Sequence, residues 1–158
     1  MIAPLIIGAA VVLAPALASL PAQAPRAVDA AVPAVEAGSI AGVSIGATRD
    51  EVSALLAPRG SVAGREARDG GRRDVWTLAG GDYASVAVTT DARGRVTWVT
   101  GFVRPGHERP FSAFGDLERA VASGTRAVWD VQTSQGSYRL ILRGNDARAQ
   151  VVTMLAGR

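Results

Sequence analysis

The sequence predicts an α+β protein in which two short helices pack on one face of antiparallel strands. Three observations carry that expectation. Val75-Trp76, Tyr83, Asp91-Ala92-Arg93 and Val96 recur in order as Val128-Trp129, Tyr138, Asp146-Ala147-Arg148 and Val151. Each copy follows a segment whose apolar residues have helical spacing. Within each copy, runs of β-branched residues are separated by turn-forming glycine and aspartate. The expected folded region is 40–158, built from two helix-plus-strand units at 40–103 and 111–156.

The first 24 residues carry no charge and are dominated by Ala, Leu, Ile and Val. Such an apolar run, ending in small residues, predicts an export signal cleaved after Ala18 or Ala24. Pro25 would follow the second cut, which favours Ala18. A retained anchor is the alternative, but Pro4, Pro15 and Pro21 make a weak span. Residues 25–39 mix Ala, Val and Pro without a period and read as a flexible linker.

Ile40 to Ile45 is a short apolar stretch. Thr48 and Glu51 then have the spacing of a capping box, in which hydroxyl and carboxylate each satisfy a free helix amide. Val52, Leu55 and Leu56 supply the apolar stripe of a short helix, and Pro58 ends it. Arg59 to Asp74 reads as a long, solvated loop because its arginines alternate with acids and glycines. Strands are expected at 75–78, 83–89 and 96–103, the middle one burying Ala84, Val86 and Val88. Residues 104–110 form a Pro/Gly connector holding the single histidine, His107. Ser112 to Ser123 is expected to be the second helix, with Phe114, Leu117 and Val121 on one face and Gly124 as its stop. Strands at 127–133, 137–143 and 149–155 complete the second unit.

The repeat has a conflict of parity. If Tyr83 and Tyr138 are equivalent, the buried set Ala84, Val86, Val88 falls out of step with Tyr138, Leu140, Leu142. Pairing Val86 with Leu140 restores the register and lengthens the turn of the second copy by one residue. On that alignment the tyrosine match is coincidental, while the tryptophan, the apolar strand and the Asp-Ala-Arg turn persist.

Composition narrows the chemistry. With no cysteine, the chain has no disulfide, thiolate metal site, cysteine nucleophile or lipidated cysteine. All 17 basic residues are arginine, the net charge is +3, and 14 acids are interspersed among them. No basic stripe interleaved with aromatics is present, so nucleic acid is not an expected partner. Catalysis needs a nucleophile with its base, paired carboxylates in a pocket, or a metal. One loop histidine and no lysine supply none of these. No cofactor, metal site or catalytic residue is assigned.

The run Ile45-Gly46-Ala47-Thr48-Arg49-Asp50-Glu51-Val52-Ser53-Ala54-Leu55-Leu56 resembles the opening of the SmpA/OmlA (BamE-like) domain. Trp76 and the Gly94-Arg95-Val96 turn extend the likeness over about Ile40–Val103. The tandem arrangement is similar to the β-lactamase inhibitor protein (BLIP-like) fold, which presents an aromatic-rich sheet to an enzyme. The chain departs from both families: it lacks the lipidation cysteine of the first and the disulfides of the second.

These resemblances imply a periplasmic or secreted, non-catalytic protein-protein interaction module. Its partner is expected to be another envelope or secreted protein, with no membrane span left after signal cleavage. An inhibitor of a secreted hydrolase is the alternative. The candidate contact residues are Trp76, Trp98 and Trp129, because exposed aromatics anchor interfaces, together with Arg72 and Arg73. At least two of the tryptophans are expected in the core, since isolated aromatics in strands mostly pack.

Overall fold

The computed structural model describes residues 38–68, 70–134 and 136–157. The expected export signal and the linker up to residue 37 lie outside the described residues. The first described element is a hairpin of β1 (Ser39–Ile40) and β2 (Val43–Ser44). Ala41 and Gly42 turn it with φ of 53° and 87°, the paired positive values of a two-residue type I′ connection.

The helix α1 (Arg49–Leu56) forms where the capping box predicts it. The Thr48 hydroxyl accepts from the Glu51 amide, and the Glu51 carboxylate accepts from the Thr48 amide at 2.6 Å. Val52 and Leu56 are buried, whereas Leu55 lies at the surface beside Gly42.

All remaining strands belong to one antiparallel sheet. They are β3 (Gly60–Arg68), β4 (Gly71–Leu78), β5 (Tyr83–Thr90), β6 (Val96–Val103), β7 (Arg109–Pro110), β8 (Val121–Ala122), β9 (Arg126–Thr133), β10 (Gly136–Asn145) and β11 (Arg148–Ala156). The order across the sheet is β3-β4-β5-β6-β11-β10-β9-β8, with β7 pairing the start of β11. Two four-strand meanders therefore meet through their last strands, β6 and β11.

The expected α+β class with two helix-plus-strand units is wrong. Among the described residues there is one α-helix, and most of those residues lie in antiparallel strands. The second predicted helix is replaced by two 3-10 turns, Phe111–Ala113 and Leu117–Arg119. The sequence there lacks a capping box, and Gly115 interrupts it. Phe111 and Phe114 enter the core at three-residue spacing, while Val121 leaves the predicted helical face and pairs Val128 as a strand. The Trp129 indole donates to the Asp116 carbonyl at 2.9 Å, and the Ala120 amide goes to Leu117 instead. The fourth-residue hydrogen bond that a continuous helix needs is absent at that point.

The second correction concerns the predicted loop Arg59–Asp74, most of which is the hairpin β3–β4. Its charges are those of an edge strand, where like-sign and opposite-sign side chains stand in water and discourage pairing with other chains. Alternation is weak because both faces of β3 beyond Gly64 are exposed.

The two meanders superimpose in register. Trp76 pairs Val86, and Trp129 pairs Leu140. Val86 pairs Gly101 where Leu140 pairs Met154, and Val88 pairs Val99 where Leu142 pairs Val152. At the seam Thr100 faces Thr153, with Val99 against Met154 and Gly101 against Val152. These pairs interchange under a local two-fold relation centred on the two threonines, whose hydroxyls are 3.2 Å apart.

The expected Val86–Leu140 equivalence is thus seen in the register, but the tyrosine match is not coincidental. A β-bulge between Tyr83 and Ser85 inserts one residue, so that Tyr83 reaches the core face alongside Val86. Tyr83 pairs Val103 as Tyr138 pairs Ala156. The Asp-Ala-Arg turns, by contrast, are not equivalent. In the first, the Asp91 carboxylate accepts from the Arg93 and Arg95 amides within a five-residue connection between Thr90 and Val96. In the second, Asp146 and Ala147 alone turn the chain with φ of 49° and 54°. The second turn is the shorter one, against the expectation.

The core lies on one face of the sheet. Two rows cross it: Trp76, Val86, Gly101, Val152, Leu142, Ala127, and beside it Asp74, Val88, Val99, Met154, Leu140, Trp129. Ile40, Val43, Val52, Leu56, Phe111 and Phe114 cover these rows. Ile40 sits over the seam, where a Cβ on Gly101 would stand 2.7 Å from its methyl group and 2.6 Å from the Tyr83 ring.

Candidate functional site: the open face of the sheet

Side chains alternate along a strand, so burying one face of these strands commits the intervening residues to the other. Among the described residues no element covers that second face. Its middle row reads Val75, Ala87, Thr100, Thr153, Ile141, Val128, Val121. It crosses seven strands, about 30 Å at ordinary strand spacing, and contains no charge.

At the seam this row is flanked by two aromatic-aliphatic pairs. Phe102 faces Val151 on one side, and Trp98 faces Leu155 on the other. Trp98 is 47% exposed and Phe102 40%, the two exposed aromatics among the described residues. The Trp98 indole donates to the Thr100 hydroxyl at 2.9 Å, and that hydroxyl meets Thr153. The indole is therefore held along its own strand with its polar atom satisfied. An anchor fixed in advance loses little rotamer entropy when a partner covers it.

Charge lies at the margins. Arg73 faces Glu66 across β3–β4 at 3.6 Å, and Arg139 is bound by Asp130 at 2.8 Å. The Arg139 guanidinium hydrogen-bonds the Asp130 carboxylate and holds it below the usual carboxylate range. Both partners are exposed, so the pair orients side chains more than it stabilises the fold.

The five sequence-predicted contact residues divide sharply. Trp98 and Arg73 belong to the open face. Trp76 and Trp129 are core residues at equivalent positions, 5% and 6% exposed, and present no surface to a partner. Arg72 points to the core side, where its guanidinium donates twice to Asp74 Oδ2, at 2.6 and 3.1 Å. There Asp74 Oδ1, Trp76 Nε1 and Arg49 Nε are buried without a hydrogen-bond partner. Arg65 approaches Asp74 Oδ1 only to 3.8 Å, too far for a hydrogen bond.

Sequence reasoning missed Phe102, Val151, Leu155 and the threonine pair. The signal for part of this set was present: Trp98, Thr100 and Phe102 alternate with Val99, Gly101 and Val103. That period of two assigns the aromatics to one face. Which strand lies opposite them is a property of the β6–β11 pairing and has no local signature.

His107 lies at the surface with Nδ1 3.2 Å from Asp82 Oδ1. The neighbouring Arg104 donates to the carbonyls of Leu78, Gly81 and Tyr83 and ties the connector to the β4–β5 turn. Among the described residues no group of three or more His, Asp or Glu is arranged to hold a metal ion. No helix among them is long and apolar enough to cross a membrane.

No family model matches the chain, and no curated protein and no solved structure is significantly similar to it.

Proposed function

We propose that this chain is an exported, non-catalytic protein-protein interaction module that binds its partner through the open face of the sheet. One observation carries the reading: the exposed Trp98 and Phe102, each set against a half-buried aliphatic partner, Leu155 and Val151, around a satisfied threonine pair at the centre of an uncharged row. Binding energy concentrates in such central aromatic anchors, with polar contacts at the rim excluding water. The apolar first 24 residues and the BamE-like opening of the folded region support an envelope or secreted partner.

The test is capture from an envelope extract by the immobilised chain, followed by reconstitution with the purified partner. The wild-type chain is expected to retain a partner that the Trp98→Ala/Phe102→Ala variant loses. Equal retention by both proteins, or no stoichiometric partner for either, would sink the proposal. Because both side chains are exposed, unchanged thermal melting of the variant distinguishes lost contact from lost fold.

A second reading uses the same face against an enzyme. It is supported by the aromatic face left open on the sheet that the two meanders build, since the BLIP-like resemblance implies tandem units presenting an aromatic-rich sheet to an enzyme. It predicts stoichiometric inhibition within a panel of secreted hydrolases, abolished by the same double substitution.

A further inference from the structure

The outer row of the open face runs from Phe102 through Val151 to Arg143 on β10 and Arg126 on β9. Arg143 and Arg126 face each other directly across the ladder. Like charges in that position repel, because directly opposed side chains stand about 5 Å apart at Cβ. Every other arginine on a strand of the sheet has a partner. Arg65 and Arg72 meet Asp74, Arg68 and Arg73 meet Glu66, and Arg139 meets Asp130. Arg109 lies over the Phe114 ring, and Arg148 donates to the Glu108 carbonyl. The side chains of Arg126 and Arg143 have no hydrogen bond or ion pair among the described residues.

These two arginines line a cavity of about 360 Å³ with Thr125, Gly144, Gln150 and Val151. No acid lines it. A guanidinium carries five donors in a planar fork suited to a carboxylate. Two forks opening into one acid-free cavity make a site whose charge an anion complements.

We infer that the cavity at Arg126 and Arg143 receives an acidic side chain of the protein partner, whose adjoining apolar residues cover Val151 and Phe102. The proposal rests on the reading of the open face as a docking surface and names the chemistry of what docks there. A protein carboxylate is the occupant because Val151, which lines the cavity, faces the exposed Phe102 on the neighbouring strand. From Phe102 to Arg143 is two strand spacings, about 10 Å. An extended segment spans that distance in about three residues. A glutamate or aspartate three residues from a leucine or aromatic residue therefore fits both ends.

The experiment is a titration of the isotopically labelled chain, followed by amide chemical shifts. The probe is an acetylated, amidated octapeptide with two adjacent glutamates placed three residues from two leucines. Its control carries glutamines instead. The glutamate peptide is expected to shift the amides of Arg126, Arg143 and Val151 saturably. Affinity should fall about ten-fold or more for the glutamine peptide and for the Arg126→Gln/Arg143→Gln variant. Equal affinity for the two peptides overturns the inference. So does a stronger response of the same amides to inorganic phosphate, or to anionic phospholipid vesicles, than to the glutamate peptide. Failure here leaves the wider reading of the face intact, since that reading is tested through Trp98 and Phe102 with both arginines present.

Discussion

The two meanders share a sheet register but differ in how each closes its core. In the first, α1 lies over the sheet, and the position equivalent to Ala127 is the buried Asp74. In the second, two phenylalanines from irregular turns fill the same layer, and Ala127 is fully enclosed. The tryptophans show the difference most directly. Trp129 Nε1 has the Asp116 carbonyl, while Trp76 Nε1 is buried without a partner. Equivalent backbone pairing therefore does not transfer polar satisfaction. The strand ladder is specified by main-chain groups and apolar rows, and each covering segment must solve its own hydrogen bonding.

The seam gives the largest way to break this comparison. Gly101 and Met154 are equivalent, yet only glycine fits beneath Tyr83 and Ile40 in the first unit. Gly101→Ala is expected to cost about 1–3 kcal/mol by overpacking, read as a lower denaturation midpoint with an unchanged slope. Wild-type stability would show that Tyr83 and Ile40 shift freely, and that the bulge does not fix the tyrosine.

The indole contrast comes next. Trp129→Phe removes the shorter of two hydrogen bonds to the Asp116 carbonyl, leaving it the Arg119 amide at 3.2 Å, whereas Trp76→Phe removes a polar group that is already unsatisfied. Trp129→Phe should be the more destabilising by about 1–2 kcal/mol. Equal losses in paired denaturant titrations would mean that Trp76 has found a partner, and the asymmetry would disappear.

A smaller effect sharpens the contrast between the turns. Asp146 and Ala147 occupy left-handed backbone that Asn-Gly adopts with less strain. Asp146→Asn/Ala147→Gly is expected to stabilise the chain by about 0.5–1 kcal/mol, offset in part by the Ala147 methyl that packs against the core. The corresponding change at Ala92-Arg93 in the first unit should give nothing, because Gly94 already supplies the positive φ there.

The last contrast concerns α1, which only the first unit has. Hydrogen bonds from the Thr48 amide and hydroxyl hold the Glu51 carboxyl below the usual range. With the folded value depressed, the contribution of the box is present above the ordinary glutamate pKa. It is lost as pH falls through the folded value. Thr48→Ala should lower stability at neutral pH by about 1 kcal/mol and flatten the acid limb of a stability profile. A difference between wild type and variant that does not change with pH would remove the carboxylate from the cap.

Much of the sheet was legible because strands with one buried face write a period of two into the sequence. All six predicted strands are present, as is the capped helix. The second helix was misread because Phe114, Leu117 and Val121 mimic a helical stripe, while the Trp129 indole that claims the Asp116 carbonyl is distant in sequence. β3 was taken for a loop because an edge strand with exposed faces has no hydrophobic rhythm to read. The repeat illustrates the same limit from the other side. Identical letters in the two turns conceal different backbones, and the tyrosines rejected on parity are reconciled by one bulged residue. Within the candidate site, Trp98 was named from composition, but Arg126 and Arg143 gain meaning only once β9 and β10 are paired.

The seam between β6 and β11 also sets a timetable for synthesis. β6 is complete at Val103, but the strand that caps its edge ends at Ala156, roughly 50 residues further on. At ordinary translation speeds that interval is about 3–10 s. Throughout it the nascent first half shows an unpaired strand edge with Trp98 and Phe102 beside it. The local two-fold relation means that β6 of a neighbouring nascent chain offers nearly the geometry of the missing β11. Until β11 arrives, the first half of another copy is thus the best available substitute for the missing second half, and exchange of halves between copies is the characteristic hazard of this fold.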